Sequence, residues 1–216
     1  MSTTLIEQTV GFVKQSMSAN DSGHNWFHIE RVWKTARTIA LGEQVNLLVV
    51  ELAALLHDIA DSKFHNGDET IGPRMANEWL LQQHVPADIR EHVVNIVAHI
   101  SFKGGNQADT FFSPELAVVR DADRLDAIGA LGIARAFHYG GFKNREIYDP
   151  AIQPDLQMSR EDYKKNTAPT INHFYEKLLL LKDRMHTETG KQMAIQRHLF
   201  MEQFLEQFYQ EWEGKR

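Results

Sequence analysis

Three places in the chain carry residue types that can hold and use a divalent cation: His28, the doublet His57-Asp58, and the acidic run Asp121-Ala122-Asp123-Arg124-Leu125-Asp126. Two imidazoles with two carboxylates make a mixed nitrogen and oxygen donor set. Such a set suits Mn²⁺, Fe²⁺ or Mg²⁺, admits Ni²⁺ or Zn²⁺, and leaves coordination positions open for water and a substrate. The doublet follows the apolar run VVELAALL, so Asp58, with Asp61 close behind, stands where the helix macrodipole already concentrates negative charge. Two acids there are unfavourable without a cation, and the bland account is that Asp58 starts a solvated turn while His57 caps the helix C-terminus. On a helix, the same-face neighbours of Asp123 are Leu116, Val119, Ala127 and Ala130, and those of Asp126 are Val119, Ala122, Ala130 and Ile133. Either carboxylate projects from an apolar stripe, where an uncompensated charge costs several kcal/mol. Helix geometry does not separate the two, and pairing with Arg120 or Arg124 is the bland account of the cluster. His24, four residues before His28, allows an i, i+4 metal pair, although Asn25 or Ser22 as a cap leaves His24 outside the helix.

Helices must position these groups. Apolar residues recur at close to 3.6 residues, and alternating β-branched runs are scarce, which predicts an all-α chain. The expected helices cover about 4–18, 25–42, 46–60, 69–84, 86–99, 113–137, 161–186 and 187–213. Ser113-Pro114-Glu115 opens the sixth with a cap and a proline at its first position. The stretch 139–160, with glycines, Pro150 and Pro154, reads as an irregular loop. At roughly 150 residues per domain, 216 residues favour one domain spanning 1–216, with a motif-bearing core over about 20–137 and the helices of 161–213 packed on it.

Composition narrows the function classes. With no cysteine, the chain uses no thiolate for structure, catalysis or metal binding, and a reducing cytoplasmic setting is expected. Lys+Arg 23 against Asp+Glu 29 leaves a net charge of −6, which argues against wrapping duplex nucleic acid or docking on anionic lipid. No apolar run approaches the roughly 20 residues that span a bilayer, and the opening MSTTLIEQTV lacks a signal-peptide layout.

The segments FHIERVW, LLHDIAD and DADRLDAIGALGIAR, in this order between Phe27 and Arg135, resemble the HD-domain metal-dependent phosphohydrolases. The family signature is a His, then a His-Asp pair, then a distant Asp. The chain looks most like the small stand-alone bacterial subgroup, and beyond about Phe137 the likeness becomes generic. The resemblance implies an all-helical HD-domain bundle and one divalent metal, Mn²⁺ or Mg²⁺ for preference, held by His28, His57, Asp58 and Asp123. The family's Ala-Asp-Arg-Leu pattern selects Asp123 over Asp121 or Asp126. His84, His92 and His99 do not match the added histidines of the two-metal cyclic phosphodiesterase branch.

The expected reaction is hydrolysis of a phosphate ester or anhydride by attack of a metal-activated water, with nucleotides the favoured substrates by resemblance. Asp61 is the candidate to orient or deprotonate the water. Arg31 and Lys63 are candidate phosphate-binding cations, and His99, Lys103 and Arg124 candidate substrate contacts. The competing reading is a non-catalytic helical module that binds metal or nucleotide and regulates a partner. It predicts full metal occupancy without phosphate release. The remaining histidines, His65, His138, His173, His186 and His198, read as ordinary surface residues. The apolar stripe Met193, Ile195, Leu199, Phe200, Phe204, Leu205, Phe208 and Trp212 reads as core packing that could also serve as a homodimer face. Phe111-Phe112 reads as a hydrophobic staple before Ser113, with a base-stacking wall as the alternative.

Overall fold

In a computed structural model, which describes residues 2–17, 25–60, 68, 70–100, 110–159, 162 and 165–215, every regular element among the described residues is helical. The all-α expectation holds. No helix there is long and apolar enough to cross a membrane. The contacts fall into two units, Met1–Asp123 and Arg124–Arg216.

The first unit holds α1 (Ser2–Ser16), α2 (Trp26–Ala40), α3 (Leu47–Leu56), α4 (Ile71–Gln82), α5 (Ala87–His99) and α6 (Pro114–Asp126), whose last turn runs into the second unit. The apolar run of α3 makes it the buried centre: Val49, Val50, Leu52, Ala53, Ala54, Leu55 and Leu56 are all buried. α1, α2 and α5 pack around it. Its one acid, Glu51, is satisfied by Trp33 Nε1–H at 3.1 Å and by Arg37 Nε at 3.2 Å. On α2 the buried positions are His28, Ile29, Val32, Ala36 and Ile39, one helical face, so the fold that buries the aliphatic side chains also carries the imidazole inward. Asn25 caps α2 by accepting the His28 N–H at 3.3 Å. Trp79 of α4 stacks on Phe12 of α1 at 4.2 Å between ring centroids and donates to Thr9 Oγ1.

Asn46 caps α3, its Oδ1 accepting from Leu48 N–H at 3.1 Å and Val49 N–H at 3.4 Å. Asn46→Ala is expected to lower stability by about 1 kcal/mol, read as a denaturation midpoint shift at unchanged m-value. The Asn46 N–H donates to Glu115 Oε1 on α6 at 2.9 Å. Glu115 is itself buried. Ser113 Oγ accepts from Leu116 N–H as the predicted cap of α6, and His92 Nε2 lies 2.9 Å from that hydroxyl and 3.5 Å from Glu115 Oε2. Higher up, the Arg120 guanidinium donates to the His99 carbonyl at 2.6 Å.

The second unit contains α7 (Gly129–Phe142), α8 (Thr170–Glu176), a 3₁₀ helix (Leu178–Arg184) and α9 (Glu188–Trp212). Phe137, Phe174 and Phe204 form its aromatic core, with centroids 5.9 to 6.0 Å apart. The stripe on α9 divides: Leu205 is buried, whereas Ile195, Leu199 and Phe200 are exposed.

Two expected helices are corrected. The single helix over 113–137 is broken after Asp126: Ile128 is extended, Gly129 takes φ +75°, and a new helix runs on to Phe142, shortening the expected loop. The expected helix over 161–186 is interrupted at 166–169, where Pro169 lacks an N–H and disfavours helical backbone before it. His173 is also misjudged as a surface residue. It is half-buried, and desolvation, with the charges of Lys177 and Arg145, pushes its pKa from 6.5 down to about 4. The unfolded chain takes up the proton first, so stability falls as pH drops from about 6.5 towards 4. His173→Gln should flatten the fall of melting temperature across that window.

Candidate metal centre

The His57 imidazole is fixed from the protein side. Its Nδ1 lies 2.8 Å from the Ala54 carbonyl, which can only accept, so Nδ1 carries the hydrogen and Nε2 presents a lone pair. That Nε2 is buried and has no hydrogen-bond partner. A buried acceptor left so is costly unless something binds it. His28, from the inner face of α2, meets His57 edge to face with ring centroids 5.4 Å apart. His57 is the C-cap of α3 and Asp58 follows it at the negative end of the macrodipole. Donor atoms of His28, His57 and Asp58 lie within 4.8 Å of one another, so these three residues form a group able to hold a metal ion.

Asp123, in the last turn of the unit's part of α6, lies beside this group. Its Oδ1 stands 3.4 Å from His28 Nε2 and 3.9 Å from His57 Nε2. Both separations are longer than an ordinary hydrogen bond. The donor set fits a divalent cation of the first row or Mg²⁺. Burial is uneven: the side chains of His28 and His57 are 2% and 4% exposed and that of Asp123 is 42% exposed.

The other acids of the run behave differently. Asp126 is buried and paired with Arg135, which also donates to its carbonyl at 3.2 Å. Arg124 donates to the Arg184 carbonyl. Arg31 is half-buried one turn after His28. His99 has both ring nitrogens engaged, Nδ1 with the Asn95 carbonyl at 2.8 Å and Nε2 with Thr110 Oγ1 at 3.2 Å, and its ring leans on Phe111. Phe111 therefore packs on imidazoles, while Phe112 is exposed. Asp61, Lys63, Lys103 and His24 lie outside the described residues. Sequence reasoning passed over Glu115; its signal was an acid at the second position of a helix whose neighbours are all apolar. A hollow of about 320 Å³ in the second unit, lined by Tyr148, Tyr175, Tyr209 and Asn172 among others, contains none of the expected site residues.

The family model described as HD domain matches residues 25–128, the stretch holding every donor of the centre. A protein of Bacillus subtilis strain 168 known as uncharacterized protein YpgQ is 36% identical over 211 residues, covering 96% of this chain and 94% of that one. The chain belongs to the HD superfamily. A crystal structure described as an HD-superfamily hydrolase from Bacillus thuringiensis is 44% identical, covers 99% of both chains and superposes with a TM-score of 0.80. The crystal structure of YpgQ in complex with ADP is 32% identical, covers 97% of this chain and 96% of that one, and has a TM-score of 0.76. These HD-superfamily relatives support a hydrolase.

Proposed function

We propose that the chain hydrolyses a phosphate ester or anhydride bond in a nucleotide or other small phosphorylated metabolite. One divalent ion, Mn²⁺ or Mg²⁺ for preference, is held by His28, His57, Asp58 and Asp123. The observation that carries this reading is the convergence of His28, His57 and Asp58 on one point, with Asp123 Oδ1 close to both Nε2 atoms. ADP in the YpgQ crystal supports a nucleotide. When bound, the ion lowers the pKa of a water and polarises a phosphoryl oxygen.

The protein's own groups have separate tasks. Ala54 O holds His57 in the tautomer that offers Nε2 outward. Asp123, whose side chain is 42% exposed, faces the side from which a substrate arrives. Asp61 orients the attacking water or takes its proton, and Arg31 and Lys63 neutralise phosphate oxygens as negative charge builds up. His99, Lys103 and Arg124 contribute to binding the rest of the substrate. The test is a screen of nucleotides, dinucleotides and sugar phosphates against Mn²⁺-loaded protein, resolving phosphate from pyrophosphate. Release of one species, abolished by chelator, is expected. Full Mn²⁺ occupancy with no release from any compound would turn the assignment towards a regulatory module.

A further inference from the structure

The two helices that end in donors of the centre also begin at a shared contact. At their lower ends, the backbone N–H at the start of α3 is accepted by Glu115 Oε1, in the first turn of α6, at 2.9 Å. At their upper ends His57 Nε2 and Asp123 Oδ1 stand 3.9 Å apart. Asn46 and His57 are about 16 Å apart along α3 at 1.5 Å rise per residue, and Glu115 and Asp123 are about 12 Å apart along α6. The helices therefore run in the same sense, tied at the foot by one side chain and meeting at the head through the donor atoms. α5 runs alongside α6 with the same pairing, His92 against Ser113 and Glu115 below and Arg120 against the His99 carbonyl above.

The strength of the foot contact follows from its surroundings. Glu115 is 8% exposed, and a charge-assisted hydrogen bond from an amide to a buried carboxylate is roughly twice as strong as a neutral one. Glu115 links all three helices, with Oε1 on Asn46 N–H and Oε2 3.5 Å from His92 Nε2. Apolar contacts between helices carry no intrinsic direction, whereas this hydrogen bond fixes a donor on one helix against an acceptor on the other.

We infer that Glu115 is a positioning residue for the metal centre: by fixing the axial register of α6 against α3, its carboxylate sets the distance between His57 Nε2 and Asp123 Oδ1. It touches neither metal nor substrate. The inference rests on the proposed reading of the centre only for its consequence on metal affinity, since the register is set by groups of the protein alone.

The experiment compares Glu115→Ala, Glu115→Gln and Asn46→Ala. Glu115→Gln keeps a carbonyl oxygen able to accept the Asn46 N–H. Asn46→Ala weakens the same helix end while leaving the backbone N–H to Glu115 in place, and so controls for lost stability. The first readout is the ring ¹⁵N and ¹H resonances of His28 and His57 in chelated protein at fixed pH. They should shift in Glu115→Ala, return towards wild type in Glu115→Gln and stay at wild type in Asn46→Ala. The second is Mn²⁺ affinity by titration with detection of free Mn²⁺ by its paramagnetic resonance signal. Glu115→Ala should weaken it on the order of tenfold, and the other two variants by less than about threefold.

Unchanged ring signals in Glu115→Ala would overturn the positioning role even if wild type binds Mn²⁺, as would an equal shift in Asn46→Ala. A wild-type protein that binds no Mn²⁺, with the ring signals of Glu115→Ala still displaced, would remove the metal reading and leave the positioning role standing. Failure of Glu115→Ala to fold leaves Glu115→Asp as the decisive variant. Its shortened side chain keeps the charge and should draw α6 along its axis, displacing the same ring signals, and wild-type signals there would overturn the role.

Discussion

His57→Ala is expected to remain folded and to lose its divalent ion. The substitution deletes a donor whose Nε2 is buried without a hydrogen-bond partner, and it leaves His28 and Asp123 without their common neighbour. Losing a ligand should cost more affinity than the roughly 10–100-fold that follows loss of a ligand's supporting partner. Metal analysis after passage through chelator and reloading with Mn²⁺ should give one ion per chain for wild type and background for the variant. Nucleotide turnover should fall to background with it. Asp58→Ala should behave alike, losing both the ion and turnover. Metal-dependent hydrolysis surviving in either variant would sink the proposed centre.

Gly132→Ala should produce the largest loss of stability among conservative single changes outside the centre. A Cβ at that position would stand 2.2 Å from the Ala127 carbonyl oxygen, a backbone atom that no side-chain rotation can move. The backbone doubles back there because Gly129 adopts φ +75° and starts α7 close against the end of α6. Relief demands that the link between the helices open, at a cost of at least ~3 kcal/mol. At roughly 2–4 °C per kcal/mol for a chain of this length, thermal unfolding should begin several degrees lower. A melting temperature within a degree of wild type would show that the turn yields. Gly141→Ala, where an added Cβ meets nothing within 4 Å, is the control.

The helices of the first unit were legible because pattern and punctuation agree there. Asn25, Asn46 and Ser113 cap where their side chains suggest, and the apolar run of α3 is buried as its composition requires. His28 was legible as an inward residue for the same reason, since Val32, Ala36 and Ile39 define the face it shares. The break at 127–129 was hidden by composition: in DADRLDAIGALGIAR the glycines sit among alanines and leucines and read as a small-residue stripe. Nothing local distinguishes a glycine that turns the chain from one that merely allows close packing. Pro169 was legible in principle as a break in the helix expected over 161–186, since a proline removes a backbone donor and disfavours helical backbone before it. Glu115 stood out locally only as an acid among apolar neighbours, and its partner Asn46 lies 69 residues away in the chain.

The unequal burial at the centre also bears on the order in which ligands bind. Among the described residues, the two imidazoles are sealed away while the Asp123 carboxylate stands 42% open. On the proposed reading, a polyanion approaching that carboxylate is repelled until a cation is held behind it, which favours ion before anion.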